Sequence, residues 1–535
     1  MGTIYEITSP TVIFKLPEYS VNPSNPAYFE VNGKRTQYEY NGVGNVLIVK
    51  YMKADNTTIH STESFGYDQY NNLSTHTDRN GITTNFDFST DGKFLDGIRR
   101  PFAQNQTINQ TFRYYPNGLL KEAISHEGIN TLFYYDNYGN NNRIEFPLLS
   151  LNSSATHDYA GRTLTVTNAK DQVSTFEHDD NDNLTKTIAP SPLSYVTQYG
   201  FDDNDLLNTI TNAKGKVTTI GRDNFDRVET ITFEAMQQKY YYRTDGKLDK
   251  YEKTGFATNN TRYFQYAYDA QGRMTSNRYL TNVTFDNTTK NIQTITGGTS
   301  ALLLKDFTFD ELNRPTGYTD NNNIAVGYGY DNIGNVTRID YPNGHKVYYT
   351  YDQANRLRTV KWNTTTVATY VYVGSRLSYV EYGNGVRTTY NYDNAGRLDG
   401  MTTKTNNGSG STIAGYTFEF DNLGNHLTEN ITEPYTSIPT PPASTTTYTY
   451  KTNNQIETAG STTFTHDGDG NIITKGGLTY TYDLEDNLIS ITGNGLNISF
   501  EYDAMGNRRI ATRNSTVTKY VLDMLGMADV LAELN

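Results

Sequence analysis

Aromatic and polar residues alternate along this chain in short bursts, and the bursts end alike. In YNYDNAGRL (390–398), Tyr390 and Tyr392 stand two apart, Asp393 follows, and Gly396 comes three residues later. YGYDNIGNV (328–336) and YAYDAQGRM (266–274) repeat the arrangement. Residues two apart in an extended strand share a face. The pattern therefore predicts a strand with two rings on one side and a polar or small residue, such as Asn391 or Gly329, on the other.

Aligned on the Asp, the motif occurs 22 times, first at Asn41 and last at Asp523, and the slot is Asp in 16 copies. Asn41, Ser89, Tyr115, Arg243, Val373 and Lys451 replace it elsewhere. The slots at 310, 331, 352, 373 and 393 lie 20 or 21 residues apart, so this is a true internal repeat. Three places after the slot stands Gly in 13 copies, Asn in four and Asp in four, with Arg376 the lone exception. Those residues tolerate a left-handed backbone. Asp-x-x-Gly thus reads as a type I turn that closes a hairpin with a bulge, and not as an active site.

About ten residues on comes a second turn, clearest as Asn80-Gly81, Asn343-Gly344 and Asn384-Gly385, which reads as a two-residue hairpin loop. Each unit is then one strand out and one strand back, and 22 units give on the order of 44 strands. Open sheets rarely exceed ~10 strands without curling, so the strip must coil, with aromatics on one face and Thr and Asn on the other. The domain reading is an atypical N-terminal cap or partial repeat over 1–37, followed by one array over 38–535. Loop insertions are expected near 275–305, 400–415 and 430–447, where the period breaks.

Composition sharpens this picture. Hydrophobic residues make up 36% of the 535, below the ~45–50% of ordinary globular domains; 45 Tyr and 23 Phe against one Trp point to a thin aromatic layer in place of a thick core. The net charge of −13 argues against nucleic acid. There is no cysteine, hence no disulfide or thiol chemistry. No apolar run reaches the ~20 residues of a membrane helix, and the first residues, MGTIYEITSPTVIF, lack the form of a secretory signal.

Candidate chemistry is sparse. Sixteen Asp are accounted for as turn formers. DGDGN (467–471) hints at a calcium loop, but position twelve is Leu478 where a bidentate Glu is needed, and Asp467 is a turn slot. His157, His178 and His466 occupy the aromatic slot before the Asp and read as wall residues. No His pair has zinc spacing, and no nucleophile elbow, P-loop or dinucleotide fingerprint is present. Catalytic, cofactor-binding and metal residues are therefore expected to be none.

Segments such as YTYDQANRLRTV (349–360) and FEYDAMGNRR (500–509) resemble the YD repeat, also called the Rhs repeat, over nearly the whole chain from Tyr38. The family includes bacterial Rhs polymorphic toxins, the B and C subunits of Tc toxins, wall-associated proteins and teneurins. The resemblance implies an all-β fold of tandem β-hairpins, an antiparallel strip spiralling into a hollow, shell-like barrel that in the toxins encloses a C-terminal toxic domain. In those toxins an Asp-Pro motif follows the repeats, at a site where the shell cleaves itself. No Asp-Pro occurs here, and the final YVLDMLGMADVLAELN resembles the approach to that core. Neither autoprotease nor cargo carries over.

The leading expectation is a non-enzymatic wall segment of a secreted, toxin-associated shell, with an enclosed toxin domain or other shell subunits as partners. The competing one is a cell-surface protein that binds carbohydrate or mediates adhesion through its face or rim loops. A propeller-type enzyme ranks third, because this many hairpins would need about 11 blades of four strands, beyond the usual four to eight.

Overall fold

The computed structural model describes residues 12–15, 28–31, 34–53, 55–103, 106–192, 194–234, 236–254, 262–281, 283–285, 292–295, 303–320, 325–342, 344–421, 423–433, 444–452, 454–468, 470–483, 486–502, 507–522 and 530–534. The expected insertion at 430–447 falls largely on 434–443, outside the described residues, as do most of 1–37 and much of 275–305.

Among the described residues the chain is all-β. It forms 48 strands and two single 3-10 turns, Pro147–Leu149 and Asn406–Gly408. Forty-six strands make one continuous antiparallel meander, each bonded to the next in sequence; Val283–Phe285 and Ile292–Ile295 pair apart as a separate hairpin, and Met274–Thr281 passes directly to Leu303–Phe309.

The Asp turn has the expected geometry. The Asp393 amide donates to the Arg397 carbonyl at 2.9 Å and the Gly396 amide to the Asp393 carbonyl at 3.0 Å. The register slips by one residue between Asn391 and Tyr392, which is the bulge. Gly396 sits at φ +83°, and a Cβ there would lie 2.8 Å from the Arg376 side chain. Slots without Asp, at Asn41, Tyr115, Arg243 and Lys451, close in the same way, and Ser89 closes one residue wider on the Phe94 carbonyl, so the backbone form outlasts the carboxylate.

The second turn departs from expectation. Asn80-Gly81 and Asn384-Gly385 are not two-residue loops. They are the last two positions of the same bulged turn, with Asp78 and Tyr382 bonding Ile82 and Val386. Asn343 lies outside the described residues. Two-residue loops occur elsewhere, at 374–375, 460–461, 476–477, 494–495 and 514–515. The first explains Arg376: it pairs directly with Val373 and needs no left-handed residue.

Both faces are knit across strands. Tyr328 and Tyr330 share a face, as the period requires: buried Phe307, Tyr318, Val326 and Tyr328 cluster, and Tyr330 packs against them. Burial raises the Tyr390 phenol pKa, and neighbouring Tyr382, Tyr370 and Tyr392 add to the shift, as in a row of rings. On the other face Thr pairs such as Thr350–Thr359 and Thr156–Thr165, each 2.6 Å apart, bridge adjacent strands.

The strip closes on itself. Asn80 and Asp331, Lys170 and Asp421, and Lys214 and Asp467 all meet, though 251 to 253 residues separate each pair. Asn80's turn follows the sixth strand and Asp331's the twenty-ninth; two of the 23 strands between belong to the separate hairpin, so 21 make one revolution. An odd number sets a turn tip of one coil over a turn tip of the next. At ~4.8 Å per strand the ring is roughly 100 Å around and about 32 Å across at the backbone. The chain exposes 30176 Å², where a compact monomer of 60.3 kDa would expose about 19,500 Å². The wall is one sheet thick.

Candidate functional site: the turn rims and the seam

Among the described residues, each slot Asp has its carboxylate engaged by its own turn, as Asp352 shows. One oxygen of Asp352 accepts the amides of Ala354 and Arg356 at 2.9 and 3.0 Å; the other takes Arg356 Nε at 2.8 Å. The guanidinium then reaches the next hairpin, donating to the Gly374 carbonyl at 2.7 Å and lying 4.1 Å over the Tyr372 ring. Arg314 and Arg397 repeat this staple on Asp331 and Asp421. The fourth residue after the slot is Arg in six copies and Asn in nine. That bias was readable in the sequence, but its cross-hairpin role was not.

A second tie runs through the tyrosine before the slot. The Tyr392 hydroxyl donates to the Leu377 carbonyl at 2.9 Å, and Tyr372, Tyr351 and Tyr330 do the same to Leu357, Val336 and Pro315. In each case the acceptor is the first or second strand residue after the preceding turn. A ring alone would serve packing; the hydroxyl explains why the slot prefers Tyr.

Between coils, the second-turn rim of the first meets the Asp-turn rim of the second. Arg79 donates to the Ile333 carbonyl at 3.0 Å, and Asn332 returns a bond to the Arg79 carbonyl at 3.2 Å. Lys214 pairs with Asp467 at 3.0 Å and Lys53 with Glu311 at 3.3 Å. Glu127 reverses the polarity by accepting the Ser375 amide at 2.8 Å. Burial would raise its pKa, but the Ser375 hydroxyl and amide hold it at about 2. At Asp421 and Asp467 burial likewise opposes ionisation, while Lys170 or Lys214 together with the turn's own donors keeps the pKa low.

The suspected calcium loop is therefore a seam element: Asp467 is held by Asn471 and Lys214. His157, His178 and His466 end strands, in the slot that Tyr fills elsewhere. Burial, with Lys451 nearby, lowers the His466 pKa, which keeps the ring neutral. Among the described residues no group of three or more acidic or His side chains could hold a metal, and no helix is long and apolar enough to cross a membrane.

One exposed aromatic cluster stands on the far rim. Trp362 lies 5.6 Å from the Tyr341 ring and 4.9 Å from His345, whose Nδ1 is 3.0 Å from the Asn363 amide. Next to it, on the sheet, a shallow groove of about 810 Å³ is lined by Arg338, Tyr348, Lys361 and Asn363, with Gly329 leaving its floor open.

The family model for the Teneurin YD-shell matches residues 379–521, and that for the RHS Repeat matches 309–346. No curated protein sequence matches the chain. Among solved structures, TcdB2-TccC3 is 13% identical with a TM-score of 0.45 over 95% of this chain and 30% of its own. TcdB2-TccC3-Cdc42 is 13% identical, at 0.43 over 91% and 26%. The Photorhabdus luminescens Tc holotoxin pore is 13% identical, at 0.28 over 92% and 27%. The chain thus spans less than a third of the length of each of these. Residues 309–346 and 379–521 are similar to RHS and YD-shell repeats.

Proposed function

We propose that this YD-repeat chain is the wall of a hollow shell, structural in role, which encloses a polypeptide cargo and works outside the cell or at its surface. The observation that carries the reading is the seam: a sheet whose rims bond to each other after 21 strands encircles a space. Side chains ~5 Å deep on the inner face would leave a lumen about 20 Å wide. The carboxylates of the repeat serve turns and seam, which supports a wall and leaves chemistry to what it encloses. By resemblance that cargo is a toxin domain.

End-on electron-microscope images of the purified chain test this. A ring with a lumen of low density is expected; a filled disc or an open, uncoiled ribbon would refute it. A second reading, carbohydrate binding, draws on Trp362, Tyr341 and His345, an exposed aromatic platform beside polar donors. It predicts saturable glycan-array binding that Trp362→Ala abolishes.

A further inference from the structure

The residue two places after the Asp slot behaves differently in the two coils. In the second coil it is apolar at Leu312, Ile333, Ala354, Ala395 and Leu423, each half-buried at the rim where the first coil's turns meet it, and polar and exposed at Ser375. In the first coil four of the eleven turns put a large apolar side chain there, Val43, Tyr70, Tyr138 and Phe225, exposed by 68, 49, 80 and 79%, and the other seven hold Asp91, Asn117, Ala160, Asn181, Asn204, Asp245 and Gln271. Tyr159, one place earlier in its turn, is 89% exposed. Scattered exposed side chains need no explanation, but these recur at one slot, along one rim. Tyr70 touches the next turn, its hydroxyl donating to the Thr90 carbonyl at 3.1 Å, and Arg227 lies 5.1 Å over the Phe225 ring, but Val43, Tyr138 and Phe225 stay more than two-thirds exposed.

Charge sharpens the contrast. The eleven slot turns of the first coil, from 41–45 to 269–273, carry fourteen carboxylates and six Lys and Arg. At the opposite end of the shell, the second coil's other rim has turns at 363–364, 382–386, 405–411, 460–461, 476–477, 494–495 and 514–515 without one carboxylate. Lys361, Arg387, Lys404, Lys475 and Arg513 lie within two residues of them, against one carboxylate, Glu381. Inside the chain the seam also joins a second-turn rim to an Asp-turn rim: Arg79, Lys170 and Lys214 donate from above to acceptors on the Asp turns below, although that upper rim also carries Asp78, Glu127 and Asp171 and Glu127 accepts from below. The two ends of the shell are the two halves of that seam.

We propose that the exposed Asp-turn rim of the first coil is an interface for a second copy of this chain, which seats its carboxylate-free end on it, so that shells stack head to tail. Such a contact is heterologous and does not close. Each added copy leaves the same pair of ends free.

Sedimentation velocity across a concentration series tests this with the full chain. The sedimentation coefficient should rise with concentration and fall back on adding salt. Tyr138→Ser combined with Phe225→Ser should remain monomeric, as should Thr364→Asp combined with Ser461→Asp at the other end. Tyr348→Ser, on the sheet face, should associate like the parent. Mixing the two end variants should give dimers and nothing larger, since each keeps the end the other lacks. Thermal melts matching the parent establish that the variants are folded. A parent monomeric at every concentration, end variants that still associate, or a mixture that makes no dimer would each overturn the proposal.

Discussion

The two edges of this sheet are built from the same bulged turn, yet they do unequal work. Along the Asp edge, an Arg or Asn staple and a tyrosine hydroxyl recur as ties between neighbouring hairpins, as at Asp352, Arg356 and Tyr372. Along the other edge, the turns at 78–82 and 382–386 have the backbone bonds without these ties. That edge also holds the two-residue loops at 460–461 and 476–477, the 405–411 loop and the exposed Trp362. The other edge bonds across hairpins too, but differently from turn to turn, as from the Asn407 amide to the Gly385 carbonyl at 2.8 Å and from the Gly383 amide to the Val367 carbonyl at 3.1 Å. A tie repeated at one slot fixes an edge in sequence; an edge whose ties differ can vary, and variation is where binding is added.

The contrast can be broken hardest at Arg356. Arg356→Ala removes the Asp352 pair, the bond to Gly374 and the contacts over Tyr372 and Phe102 together. A charge-assisted bond and a stacked ring suggest a loss of roughly 2–4 kcal/mol, read as a lower denaturant midpoint with an unchanged slope. Next comes Gly396→Ala, which forces a Cβ onto φ +83° and toward Arg376. A loss of about 1–2 kcal/mol is expected, again by denaturation, whereas Gly415→Ala, at a site with room, should cost less.

Acid sharpens the comparison at the seam. Asp421 and Asp467 have pKa values held below the usual carboxylate range when folded. Their stabilisation is therefore complete above the unfolded value of ~3.9 and disappears as the pH falls through the folded values. Lys170→Met and Lys214→Met together should shift the acid transition, followed by far-UV circular dichroism, to higher pH. An unchanged acid midpoint would show that these pairs do not hold the seam. The smallest effects separate the edges directly. Tyr392→Phe strands the Leu377 carbonyl and should cost about 0.5–1.5 kcal/mol, while exposed Asn384→Ala on the other edge should stay within ~0.5.

What the sequence disclosed was local. Tyr390, Tyr392, Asp393 and Gly396 specify a strand, its aromatic face and its turn within seven residues, and all of it was readable. Asn-Gly misled because the pair suits both a two-residue loop and the end of a bulged turn; strand register, set by partners ten residues away, decides between them. The number of strands per revolution was hidden for another reason. It sums a small curl over 21 strands, and no single residue encodes it. The seam residues Lys170, Lys214 and Glu127 were hidden with it, because their partners become neighbours only after a full turn.

A wall one sheet thick also has a thermal signature. Unfolding raises heat capacity mainly by wetting apolar groups, by ~12–15 cal/mol/K per residue in compact proteins. This chain already exposes 30176 Å² when folded, so less apolar surface remains to be wetted. Its heat-capacity step per residue should fall below that range, and its stability should change gently with temperature, with a broad maximum and little weakening in the cold.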